Sequence, residues 1–304
     1  MDKSIITLER LRTFARVAER GNFSAVAREL ETGQPTVTRH VRELEDALGV
    51  QLLSRTTRRV TLTDEGRQFY DSALQVLQLV DQSCQDVQAV TGSLTGTIRV
   101  SCTAALGVRH ISRLLFAFQE AHPDITIDLS LADERVNLVR EGVDIALRLG
   151  PIGDSTMKLR KLGDSRRLLA ASPDYLARKG VPSTPSALIE HEGVRMTNVM
   201  GSDTLVLYGP TGEKHSIPLT SRFRVDHGLA AREALLAGRG LAATHLWLVD
   251  DLLGDGRLTQ ILPDYTVEAT PLNLLIVPER AHVPRVRLLV EFLVEQSATI
   301  PGIA

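Results

Sequence analysis

The sequence predicts a two-domain chain of α+β followed by α/β class: an amino-terminal winged helix-turn-helix with a long linker helix, then a larger α/β body. Three observations predict it. Short helical patterns in residues 8–63 are broken at residues 21–22, 32–33 and 49. Residues 64–91 then repeat apolar side chains at helical spacing, with no proline and Gly66 near the start. Beyond residue 92, β-branched runs (TIRVSC, ITIDLSL, DIALRLG) alternate with helical stretches such as VRHISRLLFAFQEAH. That alternation is the pattern of βαβ units around a mostly parallel sheet.

The 304 residues suit two units, and 43% hydrophobic with 24% charged residues supplies more than one buried core. The first twenty residues alternate charged with apolar side chains and lack an export signal, and no run approaches the ~18 apolar residues of a membrane span. The expectation is a soluble, cytoplasmic protein with no membrane partner. Cys84 and Cys102 are too few for a disulfide scaffold and too far apart for a zinc site, and both read as packing residues. The net charge of −2 does not exclude nucleic acid, because residues 51–63 carry Arg55, Arg58 and Arg59 with no acid.

In the first domain (1–63), Leu8, Leu11, Phe14 and Val17 form the buried face of a first helix that Gly21 and Asn22 end. Ser24 is placed to cap a second helix, with Ala27 and Leu30 inward. Thr32, Gly33 and Gln34 make a tight turn, and Pro35 is tolerated in the first turn of a third helix. There Val37, Val41, Leu44 and Leu48 form one core stripe, so Pro35, Thr38, Arg39 and Arg42 point outward. Arginine bonds guanine bidentately, glutamine bonds adenine and a threonine methyl touches thymine, so this face suits a major groove. Taken alone it reads equally well as a solvated helix face. The following segment tips the balance: Gln51, Leu52 and Leu53, with Val60, Thr61 and Leu62, flank a basic tip that includes Arg55, Arg58 and Arg59. Such a wing lies on phosphates or enters a minor groove, while a solubilising arginine cluster is the alternative.

The run FSAVARELETGQPTVTRHVRELEDALGVQLLSRTTRRVTLTDEG (residues 23–66) resembles the DNA-binding domain of LysR-type transcriptional regulators. The resemblance implies that Gln34, Pro35, Thr38 and Arg39 approach base edges, that Arg58 on the wing reaches the minor groove, and that the partner is a double-stranded operator; Thr36, Arg42, Arg55 and Arg59 join them as DNA-binding candidates. One departure is Gly33, where the family usually has serine, so the third helix should start without a side-chain cap at a cost of only a few tenths of a kcal/mol.

In the linker (64–91), Phe69, Ala73, Val76, Val80, Ser83 or Cys84, Val87 and Val90 approximate an a/d seam. Pairing with a second subunit would hide it; the alternative is packing on the chain's own sensor domain. The resemblance implies a homodimer or homotetramer, with RNA polymerase as a candidate partner.

Residues 92–304 resemble the family's regulatory region, a two-lobed fold like the periplasmic binding proteins. Lobe one takes 92–163 and 268–304, lobe two 164–267. In α/β folds ligands gather at strand carboxyl ends and helix N-termini. That rule nominates Thr103 and Ala104 before a helix beginning near Val108, Arg148 and Gly150 at the end of DIALRLG, Thr197 and Asn198 after another strand, Asp226 or His227 as a helix cap, and His245. A small-molecule effector is expected, an organic anion among the candidates. For each polar residue the alternative is a cap or a surface hydrogen bond.

Enzyme readings fare poorly. No two histidines lie within four residues, and neither GxSxG nor GxxxxGK[ST] occurs. The stretch GRGLAA (238–243) follows a predicted helix, where a dinucleotide motif must follow a strand, so it reads as a helix-ending turn. No enzyme activity, cofactor or metal is expected. The competing classes are a transporter's solute-binding component, which the basic amino-terminal module disfavours, and a regulator that binds no ligand.

Overall fold

The computed structural model describes residues 5–55, 60–89, 94–133, 138, 141–153, 156–199 and 201–304, with all their side chains except those of residues 55, 78, 81, 82 and 85–89. It divides into two compact units, one dominated by Met1–Ser93, the other by Leu94–Val139 and Val143–Ala304. No helix among the described residues is long and apolar enough to cross a membrane.

In the first unit α1 (Leu8–Arg20) starts at Thr7, whose hydroxyl accepts from the Arg10 N–H, and stops at Gly21, whose φ of 63° favours glycine. Leu11, Phe14 and Val17 are buried as the periodicity requires, but Leu8 is exposed, one turn too early to reach the core. The second helix, α2 (Phe23–Glu29), is capped by Asn22 and not by Ser24: the Asn22 side chain accepts from Ala25 N–H at 3.0 Å. It turns Val26 and Ala27 inward, while Leu30 lies past its end and is exposed. In α3 (Gln34–Leu48), Val37, Val41 and Leu44 are fully buried. Gly33 provides no side-chain cap, and Gly49 closes the helix at φ 71°.

Two buried polar groups lock α3 in place. The His40 ring lies 3.0 Å from the Thr13 hydroxyl of α1. The buried Glu45 carboxylate accepts from the N–H groups of Leu52 (2.9 Å) and Leu53 (3.1 Å), tying the helix to the wing. The wing pairs β1 (Leu53–Arg55) antiparallel with β2 (Val60–Leu62); β1 begins two residues later than the sequence suggests, because Glu45 takes the Leu52 and Leu53 amides. The tip arginines Arg58 and Arg59, and the Arg55 side chain, lie outside the described residues.

The linker helix α4 (Asp64–Ala89) begins beneath the wing. A Cβ on Gly66 would stand 1.9 Å from the Leu52 carbonyl oxygen, so only glycine allows this approach. Its first turns belong to the winged domain: Ala73 and Leu77 are buried there, and Phe69 meets Phe14 at 5.5 Å between ring centroids. The seam is therefore corrected at that end, since Phe69 and Ala73 serve the chain's own core. Val76 (44%) and Leu79 (65%) remain exposed, as does Cys84, which is not a packing residue within one chain. The Val87 side chain and Val90 fall outside the described residues.

The second unit is built on β3 (Gly96–Cys102), β4 (Ile125–Leu131), β5 (Ile145–Leu149), β6 (Lys158–Ala171), β7 (Glu192–Met196), β10 (Thr220–Val225), β11 (Leu241–His245), β12 (Thr259–Gln260) and β13 (Val267–Ile276). A separate hairpin joins β8 (Thr204–Tyr208) to β9 (Lys214–Pro218). The main path runs β10-β7-β11-β6-β13-β5-β3-β4, with β12 beside β6. It is mixed, not mostly parallel. The pairs β3–β4, β3–β5, β7–β10 and β7–β11 are parallel, but the long strands β6 and β13 run antiparallel to each other and to their other neighbours. Those two strands traverse the body, so they cannot share the direction of strands joined by local βαβ crossovers.

The helix after β3 starts at Ala104, not near Val108: α5 (Ala104–Leu106) passes through a π-turn (Gly107–Ile111) into α6 (Ser112–Ala121). The remaining helices are α7 (Pro173–Lys179), α8 (Gly228–Leu236), α9 (Leu246–Gly254) and α10 (Pro284–Gln296). Gly238 ends the turn after α8 at φ 63° and leads into β11, so GRGLAA is a helix-to-strand turn.

Replacing Glu45 by alanine strands two buried amides and removes charge-assisted bonds, for an expected loss of about 1.5–3 kcal/mol. Glutamine, which retains an acceptor, should lose less. Thermal unfolding of the two variants checks the order, and equal losses would rule out the carboxylate clamp.

Candidate nucleic-acid interface and ligand cleft

The outer side of α3 presents Gln34, Pro35, Arg39 and Arg42 to solvent, with Thr36 and Thr38 half-buried beside them. The Ser24 hydroxyl donates to the Gln34 side-chain oxygen at 3.0 Å, which fixes that amide and leaves its NH2 free to donate outward. Neighbouring acids are largely engaged. Glu43 pairs with Arg10 at 2.6 Å, Glu29 with Arg20 at 2.9 Å and Glu45 turns inward to the wing amides. Arg42 lies 3.9 Å from Asp46, whereas Arg39 makes no ion pair among the described residues. Salt-bridged acids contribute little outward field, so this face is positive in a chain whose total charge is −2.

The larger unit holds an open cleft of about 950 Å³. Its wall includes the predicted residues Thr103, Arg148, Asn198 and His245, drawn from four separate strand ends. The other five are not among its lining residues. Ala104 is buried and gives its N–H to Asp133 at 2.9 Å; Gly150 carries φ 95° and its carbonyl accepts from the Asn273 side chain at 2.9 Å. Thr197 bonds Val225 through its backbone, and the Asp226 carbonyl accepts from Asn198 at 2.8 Å. His227 occupies the N-cap position of α8, yet neither its side chain nor that of Asp226 caps the helix.

Charge within the cavity is unevenly matched. Arg148 donates to the Ser101 hydroxyl at 2.7 Å and the Leu147 carbonyl at 3.0 Å. The Thr103 hydroxyl is buried without a nitrogen or oxygen partner among the described residues, next to a Cys102 thiol that burial pushes up to about 12. His245 lies 2.8 Å from the Ser165 hydroxyl, which also accepts from the Trp247 indole at 3.0 Å, and the two rings stack at 5.3 Å. Burial, then the charge of Arg167, push the imidazole down to about 3, so it is neutral at physiological pH. Asp133, Arg167, Thr244 and Trp247 complete the polar wall, beside apolar residues such as Val194, Met196 and Leu248.

Of these, strand-end reasoning does not nominate Asp133, Arg167 or Thr244. In RRLL only the strand register tells which arginine faces the cavity, and Asp133 lies beyond the end of its strand.

Behind the cavity an ionic cluster joins the π-turn to α8 and α9. Arg232 grips Asp251 with two bonds of 2.6 Å, Arg109 reaches the same carboxylate at 2.8 Å, and the His110 ring meets the Trp247 carbonyl at 2.8 Å.

A positive helix face under a wing, together with a cleft of mixed polar and apolar lining in a mixed α/β body, defines a DNA-binding protein with a ligand-sensing domain. The bacterial regulatory helix-turn-helix family of the lysR type matches residues 8–67, and the LysR substrate binding domain matches residues 91–298. The chain belongs to the LysR family of transcriptional regulators. It is 34% identical over 289 residues to the HTH-type transcriptional regulator CrgA of Neisseria meningitidis serogroup C, covering 95% of this chain and 96% of that one. To DmlR of Escherichia coli K12 it is 32% identical over 299 residues, covering 94% and 93%. Solved structures agree. That of CrgA from Neisseria meningitidis superposes with a TM-score of 0.62 at 32% identity, covering 95% of this chain and 98% of that one. The Vibrio cholerae virulence activator AphB superposes with a TM-score of 0.66 at 27% identity, covering 95% and 99%.

Arg232 holds the Asp251 carboxyl well below its ordinary value of 3.8, first through its hydrogen bonds. A carboxylate with a depressed folded pKa stabilises above its unfolded pKa, and that stabilisation is lost as pH falls toward the folded value. Asp251→Asn should therefore be less stable than the parent at neutral pH, with the gap narrowing below pH ~4. Melting curves across pH measure it; a gap that widens in acid would contradict the ion pair's role.

Proposed function

We propose that α3 enters the major groove of an operator with Gln34, Pro35, Thr36, Thr38, Arg39 and Arg42 toward the bases. The wing arginines Arg55, Arg58 and Arg59 rest on the backbone or in the minor groove. The observation that carries this reading is the outward face of α3, where Arg39 has no ion-pair partner among the described residues while Glu43 and Glu29 are bound elsewhere. An effector in the cavity of the second unit meets Thr103, Arg148, Asn198 and His245. Ala104, Gly150, Thr197, Asp226 and His227 support that wall. By favouring one arrangement of the lobes (92–163 with 268–304, and 164–267), the ligand changes how the DNA-binding domains are presented. The protein acts in the cytoplasm, as a regulator and not as an enzyme.

Two subunits pair through the free face of α4. Val76 and Leu79 are exposed there, and large apolar side chains projecting from one helix face seek a partner surface. A two-fold dimer, or a tetramer built from dimers, then matches a near-palindromic operator.

Gel shifts on the intergenic DNA upstream of the gene, run across a salt series, test the DNA half. Arg39→Ala should cost about 1–3 kcal/mol on the operator and flatten discrimination against mismatched sites. Arg58→Ala should weaken all sequences alike and reduce the salt slope by about one. Equal losses on every sequence for Arg39→Ala would remove it as a base reader. For assembly, Leu79→Glu places a charge on the pairing face and should shift the protein toward monomer in light scattering. An unchanged mass would place the interface elsewhere.

A further inference from the structure

Arg167 is the poorly compensated cation of the cavity wall. It lies in β6 opposite His245 of β11 and Val267 of β13, and it lines the cavity. Among the described residues its buried Nε has no hydrogen-bond partner and its guanidinium forms no ion pair. Burial lowers its pKa; the carboxylate of exposed Glu268 acts in the opposite direction, more weakly. A guanidinium nevertheless stays protonated, and a desolvated charge without a partner is costly. Adjacent His245 offers no negative charge, since it is neutral and bonds Ser165.

The opposite charge pattern holds at the start of α5. There the Asp133 carboxylate already accepts the Ala104 N–H at 2.9 Å and stands 4.0 Å from His227. A second anion at that helix end would meet a like charge. Arg148, on the neighbouring strand end, is bonded to Ser101 and Leu147. Among the described charged groups of the cavity, Arg167 is thus the one whose compensation is left for a ligand.

We propose that the effector is an organic carboxylate whose carboxylate group seats on Arg167, with its apolar body against Val194, Met196, Ala231 and Leu248. This rests on reading the cavity as the effector site. A bidentate carboxylate–guanidinium pair in a partly desolvated cavity is among the stronger polar contacts available to a small ligand. The apolar wall selects an organic anion over an inorganic one.

The chain has a single tryptophan, Trp247, and it lines this cavity, so its fluorescence reports occupancy directly. Full-length protein would be titrated at millimolar concentrations with benzoate, phenylacetate, hexanoate and succinate, each beside its amide, and with sodium phosphate and sulfate. The expected result is a saturable Trp247 response and a raised melting temperature with at least one acid but not its amide. Arg167→Met should weaken that acid at least ~10-fold, as loss of one charge-assisted pair requires. Arg167→Met should melt no lower than the parent, having lost an uncompensated charge; Arg167→Lys, which keeps the charge without the fork, should fall between.

Equal binding of acid and amide, or equal affinity in parent and Arg167→Met, would overturn the carboxylate seat while leaving the cavity as a ligand site. A response to phosphate or sulfate alone would overturn the organic class. Silence from every compound would overturn the proposal together with the effector half of the preceding reading, and intact operator binding would show that the DNA half survives. Because the amide comparison needs no variant, a poorly folding substitution does not obstruct the test.

Discussion

The antiparallel ladder between β6 and β13 is the constraint on which the sensing half depends. These strands pair from Lys158 with Ile276 through to Arg167 with Val267, with register shifts near Thr270 and Leu272. On one stretch β13 also pairs with β5; on another β6 pairs with β11. One ladder thereby carries strands from two groups, and the cavity draws its wall from both. Arg167 lies where β6, β11 and β13 meet, so a ligand touching it touches the junction. A ligand that fits one arrangement of that junction better than another shifts the balance by the difference in its affinities, and no further coupling device is required.

The DNA-facing half relies on a different economy of charge. Its buried polar groups, His40 and Glu45, satisfy local donors and acceptors, and the surface acids Glu43 and Glu29 are paired with arginines off the outer face of α3. Buried hydrogen-bonded groups hold α3 and the wing in one geometry, which suits a surface that must present side chains to base edges at fixed positions. In the cavity, by contrast, the Thr103 hydroxyl and the Arg167 Nε are left without such partners among the described residues. Unsatisfied polar groups are costly in a finished core and useful in a binding site, because a ligand can complete them.

Much of the architecture was written locally. Helical periodicity located the core stripe of α3, the β-branched run ITIDLSL coincides with β4, and Gly21 and Gly49 stand where helices end in left-handed conformation. The missing cap at Gly33 and the turn at Gly238 were equally visible, since a cap or a turn depends on a few adjacent residues. The errors arose where several local answers were nearly equal. Asn22 and Ser24 are both good caps, and the choice of Asn22 follows from where Phe23 joins the domain core. Leu8 and Leu30 fit the helical spacing, yet they fall at helix ends beyond the reach of that core.

What the sequence determined by itself was the set of elements: a helix with an arginine-bearing outer face, a wing, a linker helix and an α/β body, because periodicity, capping and turn chemistry act over a few residues; that these make a DNA-binding regulator with a sensing domain is what the family resemblance implied. Tertiary structure alone decided that β6 and β13 run antiparallel through the sheet, that Phe69 and Ala73 serve the winged domain, and that Arg167 faces the cavity while Arg166 is exposed. Each of these depends on partners tens of residues or more away. A strand's period of two says that neighbouring side chains point to opposite faces, but only the pairing register says which face is the site.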